Sequence, residues 1–184
     1  MTQAYSKIVQ PYVDALNEIL NKTVTDSRLV TLELQRDNYE ATVFLITRWE
    51  TKEIRPLELR GGNWLHFRQQ VVEDGERLNV LEARYIFSHS DDVDDEDRHV
   101  FRWEYTRKPP GGHVPFGHLH IYAGGLKHTH FPTRRLSLEQ ILWLVVSEFG
   151  VQPKDDHWYE ILKDGHLDFL RRVRDSEDAL LPFP

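Results

Sequence analysis

The spacing of apolar residues changes period twice along this chain, and that change constrains the fold more than any other feature. Residues 4–20 place Ile8, Val9, Tyr12, Val13, Leu16, Ile19 and Leu20 at helical intervals, giving one apolar face. Pro11 should hold the start of this helix to about Gln10, because proline has no N–H and crowds the preceding turn. From residue 29 the period drops to two. Strands are predicted over residues 29–34, 41–49, 64–72, 78–89 and 99–107, with turn signals at Asp37-Asn38, Gly61-Gly62 and Asp74-Gly75. The run Pro109-Pro110-Gly111-Gly112 breaks the chain before two short strands, 117–122 and 126–131, joined at Gly124-Gly125. Helical spacing then returns. Ser137 is a good N-cap and Gln140 stands at the capping-box position. Leu138, Ile141, Leu142, Val145, Val146 and Phe149 form an apolar stripe that ends at Gly150, and a polar helix or helix pair follows over 155–174. This order predicts an α+β fold: an antiparallel meander with helices packed on one face, an N-terminal helix and C-terminal helices. At 184 residues the chain is expected to be a single domain, with a sheet-and-helix core over 29–150 and a helical extension over 151–184.

Composition removes several classes of function. With no cysteine, disulfides, zinc–thiolate sites and cysteine-ligated clusters are excluded. The N-terminus has no apolar signal core, and no apolar run is long enough to span a bilayer, so a cytoplasmic protein without membrane contact is expected. The acidic run over 91–97 lacks the glycine and terminal glutamate of a calcium loop and reads as a solvated connection.

Charge and histidine are unevenly distributed. Residues 98–135 hold six of the ten histidines and seven Lys and Arg against a single carboxylate, Glu104, a formal +6 inside a chain of −7. Imidazole exchanges protons near neutral pH and is the commonest metal ligand. A local positive field attracts phosphate-bearing ligands whatever the global charge.

Residues two apart on a strand share a face, so His118 pairs with His120 and His128 with His130. A two-residue Gly124-Gly125 turn would put the pairs on opposite faces. A three-residue loop, Ala123-Gly124-Gly125, would set His118 across from His130 and His120 across from His128. The second register keeps Leu119, Ile121 and Phe131 together and is the expected one, although it also sends Lys127 to the core side. On the strand before the Pro-Gly loop, Arg102 and Glu104 share one face and Trp103 and Tyr105 the other, the aromatic face being the one that should meet the core.

The stretch Phe101-Arg102-Trp103-Glu104-Tyr105, the loop carrying His113, the His118-Leu119-His120 strand and the helix from Ser137 together resemble the TumE-type toxins of bacterial toxin–antitoxin pairs. The resemblance covers about residues 29–150. It departs from the family's pattern in having Trp103-Glu104 where an aromatic–Asp pair is usual and in its second histidine pair. It implies a growth-inhibiting protein partnered by an antitoxin and fixes no reaction. The histidine cluster with its neighbouring cations makes metal-independent phosphodiester chemistry on RNA or a nucleotide the expected activity. His118, His120 and His130 are the acid–base candidates. Arg102, Arg107, Lys108, His113 and His128 are candidates for holding phosphate oxygens. No cofactor is required by that chemistry. The alternative is a non-catalytic module whose histidine-rich face binds a transition metal or an acidic protein partner, with homo-oligomerisation through the acidic remainder of the chain.

Overall fold

The first helix begins at Val9, one residue from the start near Gln10 expected from Pro11. The computed structural model describes residues 8–26, 31–37, 40–48, 53–54, 56–107, 116–123, 126 and 129–173. Helix α1 spans Val9–Thr23, so Pro11 is its third residue, within the first turn, where N–H groups lack helical partners anyway. Its buried stripe of Val9, Tyr12, Val13, Leu16, Ile19 and Leu20 matches the expected face.

The chain then forms strands β1 (Thr31–Asp37), β2 (Glu40–Arg48), β3 (Glu53–Ile54), β4 (Leu57–Leu59), β5 (Asn63–Asp74), β6 (Arg77–Ser88), β7 (His99–Thr106), β8 (Gly117–Ile121) and β9 (Phe131–Thr133), followed by α2 (Leu138–Ser147) and α3 (Trp158–Arg172). The strands make one antiparallel sheet in the order β1-β2-β5-β6-β7-β8-β9, with β3 on β2 and β4 on β5. The fold is α+β, as the change of period requires.

The helices cover the face that carries Leu65, Phe67, Gln69 and Val71 of β5, Ala83, Tyr85 and Phe87 of β6, and Phe101, Trp103 and Tyr105 of β7. Neighbouring rings meet across the strands: Phe67–Tyr85 at 5.3 Å and Tyr85–Trp103 at 5.2 Å between centroids. Such pairs contribute about 0.5–1.5 kcal/mol each beyond their burial. Trp103 Nε1 donates to Thr133 Oγ1 at 2.8 Å, so the largest buried ring has its polar group satisfied. A bulge at Leu81 corrects the parity of β6, because Gln70 faces Glu82 while Val71 faces Val80. Leu78 and Val80 thereby reach the same buried face as Ala83 and Tyr85.

Helix α2 begins as its sequence dictates. Ser137 Oγ accepts from Gln140 N–H at 3.3 Å, and Gln140 Oε1 accepts from Ser137 N–H at 3.0 Å. Gly165, inside α3, marks a close helix approach, since a Cβ there would lie 2.5 Å from Ile19 Cδ1 and 3.2 Å from Glu139 Cγ.

The His hairpin differs from expectation. The pairs are Gly117↔Thr133, His118↔Pro132 and Leu119↔Phe131, so His118 faces Pro132 and not His130. Of the predicted strand over 126–131, only Phe131 lies in a strand among the described residues; Leu126 N–H donates to Ala123 O (3.1 Å) and Thr129 N–H to Leu126 O (2.8 Å). Strand β9 starts only at Phe131, and its Pro132 cannot donate a ladder bond, which suits the sheet edge it occupies. The register is two residues further on than expected, an even shift, so the facing of His130 is preserved.

Candidate functional site

The sheet face away from the helices carries the even-numbered residues of β7 and β8, and the ladders set them in two rows. Arg84 of β6 faces Glu104 of β7, which faces His118 of β8. One step along, Ile86 faces Arg102, which faces His120. Continuing the β8–β9 register past its last pair brings His130 beside His120. The three imidazoles are in mutual contact, with ring centroids 4.9 Å apart for His118–His130, 4.4 Å for His120–His130 and 5.0 Å for His118–His120.

Glu104 is the hub of this face. Its carboxylate lies 3.3 Å from Arg84 Nε, 3.3 Å from Arg102 Nε, 3.4 Å from His118 Nε2 and 3.5 Å from His120 Nε2. Arg102 also approaches Glu96 at 3.5 Å, from the short 3-10 turn Glu96–Arg98 that closes the acidic loop. Its guanidinium stands 3.5 Å from His120 Nε2.

His118 and His120 are buried, 5% and 3% exposed, whereas His130 is exposed. Neither His118 nor His120 is a solvated side chain of a polar strand face. Alternation settles which face a side chain takes, but not whether other chain covers that face. Burial lowers the pKa of His120, and Arg102, His130 and His118 push in the same direction against the pull of Glu104. His120 is therefore neutral at pH 7. Nearby His66 is driven down to about 4 by burial, then by Arg84 and Arg68. His99 is also lowered by burial, with Nε2 at 3.0 Å from Val93 O and its ring edge-on to Tyr122.

Of the residues singled out from the sequence, the structure brings together His118, His120, His130 and Arg102. Arg107 lies five residues along the chain from Arg102, where Nη1 donates to Asn79 Oδ1 at 3.0 Å. Lys108, His113 and His128 lie outside the described residues. Sequence reasoning missed Arg84 and gave Glu104 no role among the ligands. The spacing of Arg102 and Glu104 was readable; the β7–β8 register that sets Glu104 against His118 was not.

One nitrogen from each of His118, His120 and His130 can be chosen such that all lie within 4.8 Å of one another. That donor set suits zinc, nickel or copper, and the neutral His120 needs no deprotonation to serve. No protein-family model, curated protein or solved structure matches the chain.

Proposed function

We propose that this protein binds a transition-metal ion, of the zinc class, through His118, His120 and His130. The observation that carries the reading is the convergence of the three donor nitrogens within 4.8 Å. A tetrahedral ion with bonds near 2.1 Å spaces its ligands roughly 3.4 Å apart, so small ring rotations complete the set. Two of the ligands stand on one strand and are buried, which fixes their direction and keeps competing water away. Glu104 supplies the carboxylate that typically orients metal-bound imidazoles and offsets the ion's charge. Three protein ligands would leave a fourth position for water, whose pKa zinc lowers to about 7.

A second reading is phosphodiester chemistry on RNA or a nucleotide, as in a TumE-like toxin held by an antitoxin. Arg102 favours it, because a guanidinium beside His120 could hold phosphate oxygens next to the fourth position. Metal-independent acid–base catalysis is less well served. It needs a phosphodiester between two imidazoles, and these rings already touch at 4.4–5.0 Å between centroids.

Elemental analysis of protein purified from zinc-, nickel- and cobalt-supplemented cultures tests the first reading. One ion per chain is expected, falling to background in a His118→Ala/His120→Ala double variant. Equal metal content in the two proteins would remove the basis for a site here. RNA incubated with the same samples separates the alternatives. Cleavage that stops in EDTA and returns with metal fits the second reading, and cleavage that persists in EDTA restores the metal-independent one.

A further inference from the structure

A second group of cations lies apart from the histidine cluster, and its charge is unanswered. Arg135, between β9 and the cap of α2, is 2% exposed. Its guanidinium carbon sits 5.7 Å from the centroid of the Tyr105 ring and 5.9 Å from that of Phe169. Its Nε and Nη1 are buried without a hydrogen-bond partner, and among the described residues no carboxylate comes within ion-pair range. Burial pushes its pKa down, and the Arg107 cation adds to that effect, yet a guanidinium stays charged at any physiological pH. Arg107 follows Tyr105 by two residues and adds two more buried, unpartnered groups, Nε and Nη2. The Tyr105 hydroxyl stands beside the Arg135 guanidinium without a well-formed hydrogen bond.

Aromatic faces offset only part of the cost of burying a cation, and buried donors are nearly always bonded. Arg135 over the Tyr105 ring, the Tyr105 phenol, and Arg107 two residues along the chain, with Nε and Nη2 free while Asn79 holds its Nη1, supply several donors and two positive charges. A monocarboxylate would occupy one fork and leave the other unanswered. A tetrahedral dianion can take both forks and balance both charges.

We propose that Arg107, Arg135 and Tyr105 form a binding site for a small oxyanion of the phosphate class, either free phosphate or the terminal group of a phosphate monoester. The site does not depend on metal at the histidine cluster. Phosphate closes a gap in the hydrogen bonding of the folded chain, so its binding should raise thermal stability.

The test uses the full chain and inorganic phosphate. Melting is followed in phosphate and in sodium chloride of equal ionic strength, and affinity is measured by calorimetry. Wild type should melt about 5 °C higher in phosphate at saturating concentration. Arg135→Met should lose that shift without melting lower in chloride, because an apolar side chain replaces an unpaired buried charge. Arg135→Lys keeps the charge but not the fork, and Arg107→Gln removes one of the forks; each should bind phosphate at least tenfold more weakly. These two decide the matter if Arg135→Met does not fold. Absence of a phosphate-specific shift in wild type, or its survival in both Arg135→Lys and Arg107→Gln, overturns the proposal. An equal shift in acetate would make this a carboxylate site and overturn the phosphate assignment. Glucose 1-phosphate as a competitor distinguishes the sources: displacement of phosphate shows that a monoester end fits, and failure to displace restricts the site to the free ion.

Discussion

Glu104 lies directly across the β7–β8 ladder from His118, with its carboxylate 3.4 Å from His118 Nε2, and the same carboxylate reaches His120 at 3.5 Å. Replacing Glu104 by Gln keeps the shape and removes the charge. Outer carboxylates of this kind typically contribute 10- to 100-fold to metal affinity. Competition titration with a zinc chelator should show a loss in that range for Glu104→Gln, with the ligand count unchanged in the spectrum of a cobalt-substituted sample. An unchanged affinity would make Glu104 only a counter-ion for Arg84 and Arg102.

His120→Ala should destabilise the protein as well as weaken metal binding. The imidazole is 3% exposed and touches both other rings of the cluster, so truncation leaves a cavity. A cost of about 2 kcal/mol is expected, a fall of roughly 4–8 °C in Tm for a chain of this size. Added zinc should raise the Tm of wild type and not that of the variant. A Tm within one degree of wild type in chelator would show that the imidazole is not packed.

Gly117→Ala tests whether β9 holds the cluster together. A Cβ at Gly117 would lie 2.9 Å from Arg134 O and 3.0 Å from Thr133 O, and backbone atoms cannot rotate away. The variant should lose about 1–3 kcal/mol. Strand β9 must move off β8, so His130 should shift and metal affinity should fall even though no ligand is changed. Stability and affinity both equal to wild type would show that β9 can give way without cost.

Stability should depend on pH through Glu139. Burial pushes this carboxyl up from its usual 4.5 to about 7. Between those values the folded chain keeps a proton that the unfolded chain has released, so this group makes stability fall as pH rises through the window. His66, driven down from 6.5 to about 4, acts in the opposite sense: its contribution is complete above pH 6.5 and is lost as pH falls towards 4. In Glu139→Gln the first effect is removed and the second is kept. Urea unfolding from pH 4.5 to 7.5 should show the variant gaining on wild type with rising pH, by on the order of 3 kcal/mol at the top of the range. A difference that is flat with pH would show that Glu139 ionises normally.

Much of this fold can be read from residue patterns. The capping box at Ser137 and Gln140 forms as written. The buried face of β6 switches from even to odd numbers between Val80 and Ala83 at the bulge at Leu81, which the predicted strand over 78–89 did not include. The β8–β9 register was less accessible. Parity alone allows shifts of two, and several registers bury Leu119 against a different partner. The same limit hid Glu104, whose role depends on which β8 residue it faces. The burial of His118 and His120 was hidden as well, because period two reports a facing and carries no information about cover.

Strand β7 gives its odd residues to the aromatic core and its even residues to the cluster, so Trp103 and Glu104 are neighbours joined by one peptide unit. Nothing compliant lies between them. Any substitution that repacks the rings must tilt that peptide and redirect the carboxylate on the far side. Metal affinity at the proposed site would thus gauge how well the interior is packed, readable from outside without unfolding the chain.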